Sequence, residues 1–158
     1  MPLFPSRRVL VCLLPALGIF GSGCSSDGPP QSESDKHIKA LVVLYGKFIP
    51  RNRGVGPASE EAFKKFIKSL NAQEVQHLGV DPANIDALFI SPRDNQTYAF
   101  AWGIKADPGP DGKGRAIVWE QTGVKGKRMV GDSLGNIEEL DEAAFATRVP
   151  ARAGKSAK

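Results

Sequence analysis

Apolar residues return at steps of three and four through Ile38, Leu41, Val42, Tyr45, Phe48 and Ile49, while Lys36, Lys39 and Lys47 fill the opposite positions. That period is one face of an amphipathic helix and predicts about four helical turns. Ser34 or Asp35 is placed to cap its start, and Pro50 with Gly54 and Gly56 ends it. A second stripe follows in Phe63, Phe66, Ile67 and Leu70, with Lys64, Lys65 and Lys68 on the wet side. Ser59 stands before it as an N-cap, and Glu60 and Glu61 occupy the first turn, where the helix dipole favours negative charge. Asn71 with Glu74 three residues on has the form of a capping box for a short third helix closed by Gly79.

From Asp86 the period becomes strand-like. Leu88-Phe89-Ile90 is a short apolar run stopped by Ser91-Pro92-Arg93-Asp94-Asn95-Gln96, a turn by composition. Thr97 to Ile104 alternates, with Tyr98, Phe100 and Trp102 on one face. After the glycine- and proline-rich loop 107–114, Arg115 to Thr122 places Ile117 and Trp119 on one face and Val118 on the other. Lys127 to Asp132 and Asn136 to Leu140 complete the set, and Asp141 caps a last helix carrying Phe145. Helices first and strands after predict an α+β fold, with two to three N-terminal helices packed on an antiparallel meander of three to five strands. The strands are expected to be antiparallel because their connections are too short for helical crossovers.

The first residues have a different character. Arg7 and Arg8 precede the apolar run Val9 to Phe20, and the small residues Gly21, Ser22 and Gly23 lead to Cys24. This is the n-region, h-region and cleavage site of a secretory signal. The chain accordingly divides into a signal peptide (1–23), a polar tether (24–33), one α+β domain (34–147) and a basic tail (148–158). Of the two cysteines, Cys12 leaves with the signal, so the domain has no thiol for a disulfide, a zinc-thiolate site or a cysteine nucleophile. Its stability must come from a hydrophobic core.

The net charge of +4 is concentrated at the ends. Setting aside Arg7, Arg8, Arg148, Arg152, Lys155 and Lys158 leaves 15 basic residues against 17 acidic ones, a slightly acidic body. No basic face interleaved with aromatics points to nucleic acid.

Candidate chemistry is sparse. Asp107 and Asp111 flank small residues around Gly112 as in a calcium loop, although Gly109 and Val118 stand where oxygen ligands belong. Gly112-Lys113-Gly114 lacks the spacing of a phosphate loop. Glu120 and Asp132, on neighbouring strands, offer a carboxylate pair of the kind glycosidases use. The two histidines, His37 and His77, fall at helix ends, where exposed or carbonyl-bonding roles are expected. Tyr98, Phe100, Trp102 and Trp119 form an aromatic group that reads first as core and second as a sugar- or peptide-binding platform.

Gly21-Ser22-Gly23-Cys24 resembles the lipobox of bacterial lipoproteins. The resemblance implies that Cys24 takes a diacylglycerol and becomes the mature N-terminus. The body resembles the globular heads of type II secretion pseudopilins in three features. These are the helix end Tyr45-Gly46-Lys47-Phe48-Ile49-Pro50, the step Asp94-Asn95 before Tyr98, and the loop Asp107 to Gly114. That second resemblance implies calcium at Asp107 and Asp111. The expected protein is lipid-anchored in the cell envelope, with its domain facing the periplasm or exterior. There it binds or scaffolds an envelope protein or polymer without catalysis. The alternatives are a pseudopilin-like subunit or accessory and a small envelope hydrolase.

Overall fold

The computed structural model describes residues 33–105, 108 and 112–149. The signal segment, Cys24, the carboxylates Asp107 and Asp111, and the tail from Pro150 lie outside the described residues.

Helix α1 (Glu33–Arg51) is the element around which the rest is packed. Ile38, Leu41, Leu44 and Tyr45 have no exposed surface, and each such burial stabilises the fold by about 1.5–3 kcal/mol. The expected caps Ser34 and Asp35 both lie inside the first turn, so neither caps it. The Ser34 carbonyl instead accepts a hydrogen bond from Tyr98 Oη at 3.4 Å. Pro50 sits in the last turn, and Asn52 N and Gly54 N both donate to the Ile49 carbonyl as the chain leaves the helix.

Helix α2 (Glu60–Ser69) begins as its sequence requires, with Ser59 Oγ accepting from Ala62 N at 3.3 Å. Phe63 is its buried centre and meets Tyr45, Phe89, Phe100 and Trp102 edge-on at centroid distances of 5.7–6.4 Å. Such pairs add to the burial of their area. Helix α3 (Ala72–Gln76) has only half of the expected capping box. Asn71 Oδ1 accepts from Gln73 N, but Glu74 turns away to pair with Lys47 on α1. The run Leu88-Phe89-Ile90 is no strand. Ile85–Leu88 forms one helical turn, α4, and Ile90 makes a lone antiparallel bridge to Thr97.

Strands β1 (Ala99–Phe100), β2 (Ala116–Trp119), β3 (Lys127–Asp132) and β4 (Ile137–Asp141) form an antiparallel sheet in sequence order. The structure therefore has the α+β architecture expected. Helix α5 (Glu142–Arg148) follows at once, capped by Asp141 Oδ1 on Ala144 N at 2.9 Å.

One irregularity reorders the faces. Ala116 pairs with Asp132 but Val118 pairs with Gly131, so an extra β2 residue, Ile117, is accommodated by a bulge. Ile117 and Val118 both enter the core beneath α1, and Trp119 turns to the other side. There it packs with Val130, Phe145 and Val149. This corrects the expectation that Ile117 and Trp119 share a face and that Trp119 joins the other aromatics. The sheet is a middle layer between α1 and α2 on one side and α5 on the other.

Gly131 lets the first two layers close up. A Cβ there would overlap Val42 Cγ2 of α1 and lie 3.0 Å from Val118 Cγ1. The folded body also continues to Val149, which is 7% exposed, past the expected limit at residue 147. Arg148 pairs with Glu138 at 2.9 Å and with Asp132 at 3.3 Å.

Candidate functional site

The densest polar chemistry lies where three segments meet at the start of α1: the turn 91–96, the hairpin turn between β2 and β3, and the first turn of α1. His37 Nδ1 donates to the Ile90 carbonyl at 3.1 Å, and Tyr98 Oη reaches the Ser34 carbonyl. Asp94 Oδ2 accepts from Thr122 N at 3.1 Å and Gly123 N at 2.8 Å, while Oδ1 accepts from Gln96 N. The first turn is thereby fastened to the second.

Glu120 sits beneath this junction with no exposed surface. Its Oε1 accepts from Ser91 Oγ at 2.9 Å and faces Arg93 Nε at 3.5 Å. Its Oε2 accepts from Met129 N at 2.9 Å. Arg93 reaches outward to Glu139 on β4 at 2.8 Å. A buried carboxylate is tolerated where hydrogen bonds and a cation compensate it, and here both do. A general acid or base must reach the proton it moves, and every near neighbour of Glu120 is a structural partner. Its geometry holds the 91–96 turn against β3.

Asp94 is subject to two opposed influences. Burial disfavours its charge, but the backbone donors Gly123, Gln96 and Thr122 more than offset that, holding the carboxyl below its ordinary range. Burial pushes the Tyr98 and Tyr45 hydroxyls up, Tyr45 Oη donating to the Ala101 carbonyl at 2.7 Å.

Asp132 organises the far end of the same strands. It is 2% exposed. Its Oδ1 accepts from Leu134 N and Asn136 N, and its Oδ2 accepts from Asn136 Nδ2 and Arg148 Nη2. The β3–β4 turn is built on that one side chain, and Leu134 stands 59% exposed at its tip.

Glu120 and Asp132 are not brought together. Glu120 N bonds the Met129 carbonyl, and Met129 belongs to the α1 side of the sheet. Asp132 pairs with Ala116, which belongs to the α5 side. The carboxylate pair expected from neighbouring strands is thus split between two faces and two ends.

His37 is half-buried and tied to a backbone carbonyl, and His77 ends α3, its N–H donating to the Gln73 carbonyl at 2.9 Å. Tyr98 and Phe100 are 3% exposed and belong to the core, while Trp102 stacks on Phe100 at 4.5 Å. The calcium loop's Asp107 and Asp111 are outside the described residues. Among the described residues no group of three His, Cys, Asp or Glu side chains could hold a metal. Ser91, Arg93 and Asp94 read from the sequence as residues of a turn, yet they build this junction. Their distant partners lie tens of positions away, and the local signs are that Ser91 Oγ and Asp94 Oδ1 each accept from the amide two residues on.

Comparison of the chain with protein-family models, with curated proteins and with solved structures finds no match in any of the three.

Proposed function

We propose that this chain is an exported envelope protein held to a membrane by a diacylglycerol on Cys24, with a body that binds or scaffolds another envelope component without catalysing a reaction. The observation that supports the binding role is the use made of two buried carboxylates and one half-buried one. Glu120, Asp132 and Asp94 each commit their oxygens to fixing loops, which yields preformed surface turns on a disulfide-free body. The hydrolase alternative loses the carboxylate pair on which it rested. Metabolic labelling with a radioactive fatty acid tests the anchor: wild type is labelled and Cys24→Ala is not. An unlabelled wild type refutes it. Affinity capture from envelope extracts tests the role, and failure to recover the same envelope component in repeated captures counts against it.

The pseudopilin-like reading is favoured by one arrangement, a long helix ending in Tyr45 to Arg51 and laid over an antiparallel meander. Calcium at Asp107 and Asp111 belongs to that reading. It requires a melting temperature that rises in millimolar calcium and ceases to do so in Asp107→Asn.

A further inference from the structure

We propose that the end of the body at which α1 begins is seated on an anionic bilayer surface, with Ile90 among the lipid headgroups and Lys125 against lipid phosphate. The proposal rests on the anchor at Cys24 and adds an orientation to it.

Reach is the first reason. Nine residue steps separate Cys24 from Glu33, at most about 30 Å of chain. The 19 residues of α1 extend about 28 Å from that point to the opposite end. Seating the opposite end on the bilayer would require the link to run back along the whole helix at nearly full extension. The α1 start faces the membrane with slack to spare.

What that end displays is the second reason. Two large apolar side chains stand exposed among the described residues, Ile90 at 43% and Leu134 at 59%. Ile90 lies at the α1 start, fixed there by the bond from His37 to its carbonyl. Leu134 lies at the other end of the strands. Lone exposed apolar residues are ordinary on a soluble surface, so the placement of Ile90 beside the tether carries the weight here, more than its exposure does.

Charge is the third reason. The β2–β3 turn, pinned to the 91–96 turn through Asp94, puts Lys125 at the same end. Lys125 is exposed and forms no ion pair among the described residues. The neighbouring charges are largely taken up: Lys36 faces Glu33, Arg93 faces Glu120 and Glu139, Lys127 faces Glu139, and the Asp94 carboxylate is turned onto backbone amides. Among the described residues, the exposed Lys125 is therefore available to an anionic bilayer, and such a cation is drawn to anionic headgroups within a Debye length.

The test uses the full acylated chain, reconstituted in vesicles of phosphatidylethanolamine with phosphatidylglycerol. A nitroxide is attached at Ile90→Cys or, separately, at Leu134→Cys. Collision with oxygen and with a water-soluble nickel chelate reports depth. The label at 90 should be several-fold more protected from nickel than the label at 134. Lys125→Glu should reduce that protection in anionic vesicles and leave it unchanged in phosphatidylcholine alone. Should Ile90→Cys disturb the fold, Pro92→Cys carries the label on the same exposed turn. A chain that floats with the vesicles but shows equal nickel access at both positions overturns the orientation alone. A chain that does not float overturns the anchor, and the orientation with it.

Discussion

Truncating Glu120 to alanine removes a carboxylate that has no exposed surface and three partners. Ser91 Oγ and Met129 N are left buried without an acceptor, and Arg93 keeps only its outward pair with Glu139. Each orphaned donor costs about 1–3 kcal/mol, and breaking a buried ion pair from one side costs about 3–5 kcal/mol. Because the two descriptions overlap, the expected loss is about 3–5 kcal/mol, or a melting temperature lower by roughly 10–25 °C for a body of this size. Glu120→Gln keeps an acceptor for Met129 N and nearly the same volume. It should lose only about 1–2 kcal/mol, the share owed to charge. Glu139→Gln, at the half-exposed end of the same chain of contacts, should cost under about 1 kcal/mol. Urea unfolding followed by tryptophan fluorescence gives the three midpoints, and similar slopes would show that the unfolded states are comparable. If Glu120→Ala costs no more than Glu139→Gln, Glu120 is no structural rivet and the reading of this junction is wrong.

Two further outcomes are expected. Gly131→Ala forces a methyl between α1 and β3 against Val42 and Val118, an overpacking worth about 1–3 kcal/mol. Trimming Val42 to alanine in the same chain should recover part of that loss in the unfolding midpoint, and strictly additive losses would show that the two positions do not meet. Asp94 is held below its ordinary range when folded, so the unfolded chain binds the proton more readily. Its stabilisation is complete above about pH 4 and fades as the pH falls through the lower folded value. Stability measured across the acid range should therefore fall less steeply in Asp94→Asn than in wild type, and parallel curves would assign the acid sensitivity to other groups.

Much of the fold can be read from local pattern. The stripes of α1 and α2, the Ser59 and Asp141 caps and the four-strand meander all depend on neighbours within a few residues, where period and capping chemistry decide. Three features were not legible, each for a physical reason. Leu88-Phe89-Ile90 formed no strand, Leu88 closing a helical turn, because three apolar residues carry no period long enough to separate helix from strand. Trp119 changed sides because one bulged residue shifts every later side chain to the opposite face. The Glu120 junction draws Ser91 and Met129 from 29 and 9 positions away, and nothing in either neighbourhood marks them as partners. Even Asp132 gave half its role away: it stands before Ser133-Leu134-Gly135, a recognisable turn, but its bond to Arg148 crosses 16 positions.

Because Glu33 is the first residue of the helix with the deepest burial, a pull on it enters the molecule at its mechanical centre. The load would be taken by α1 shearing across β2 and β3, with the Val42–Gly131 contact as a tooth between them. Helices α3 and α5, which lie off that line, would carry little of it. A body tugged from its N-terminal side therefore resists by its whole middle layer at once, and gives way as a unit instead of fraying from one edge.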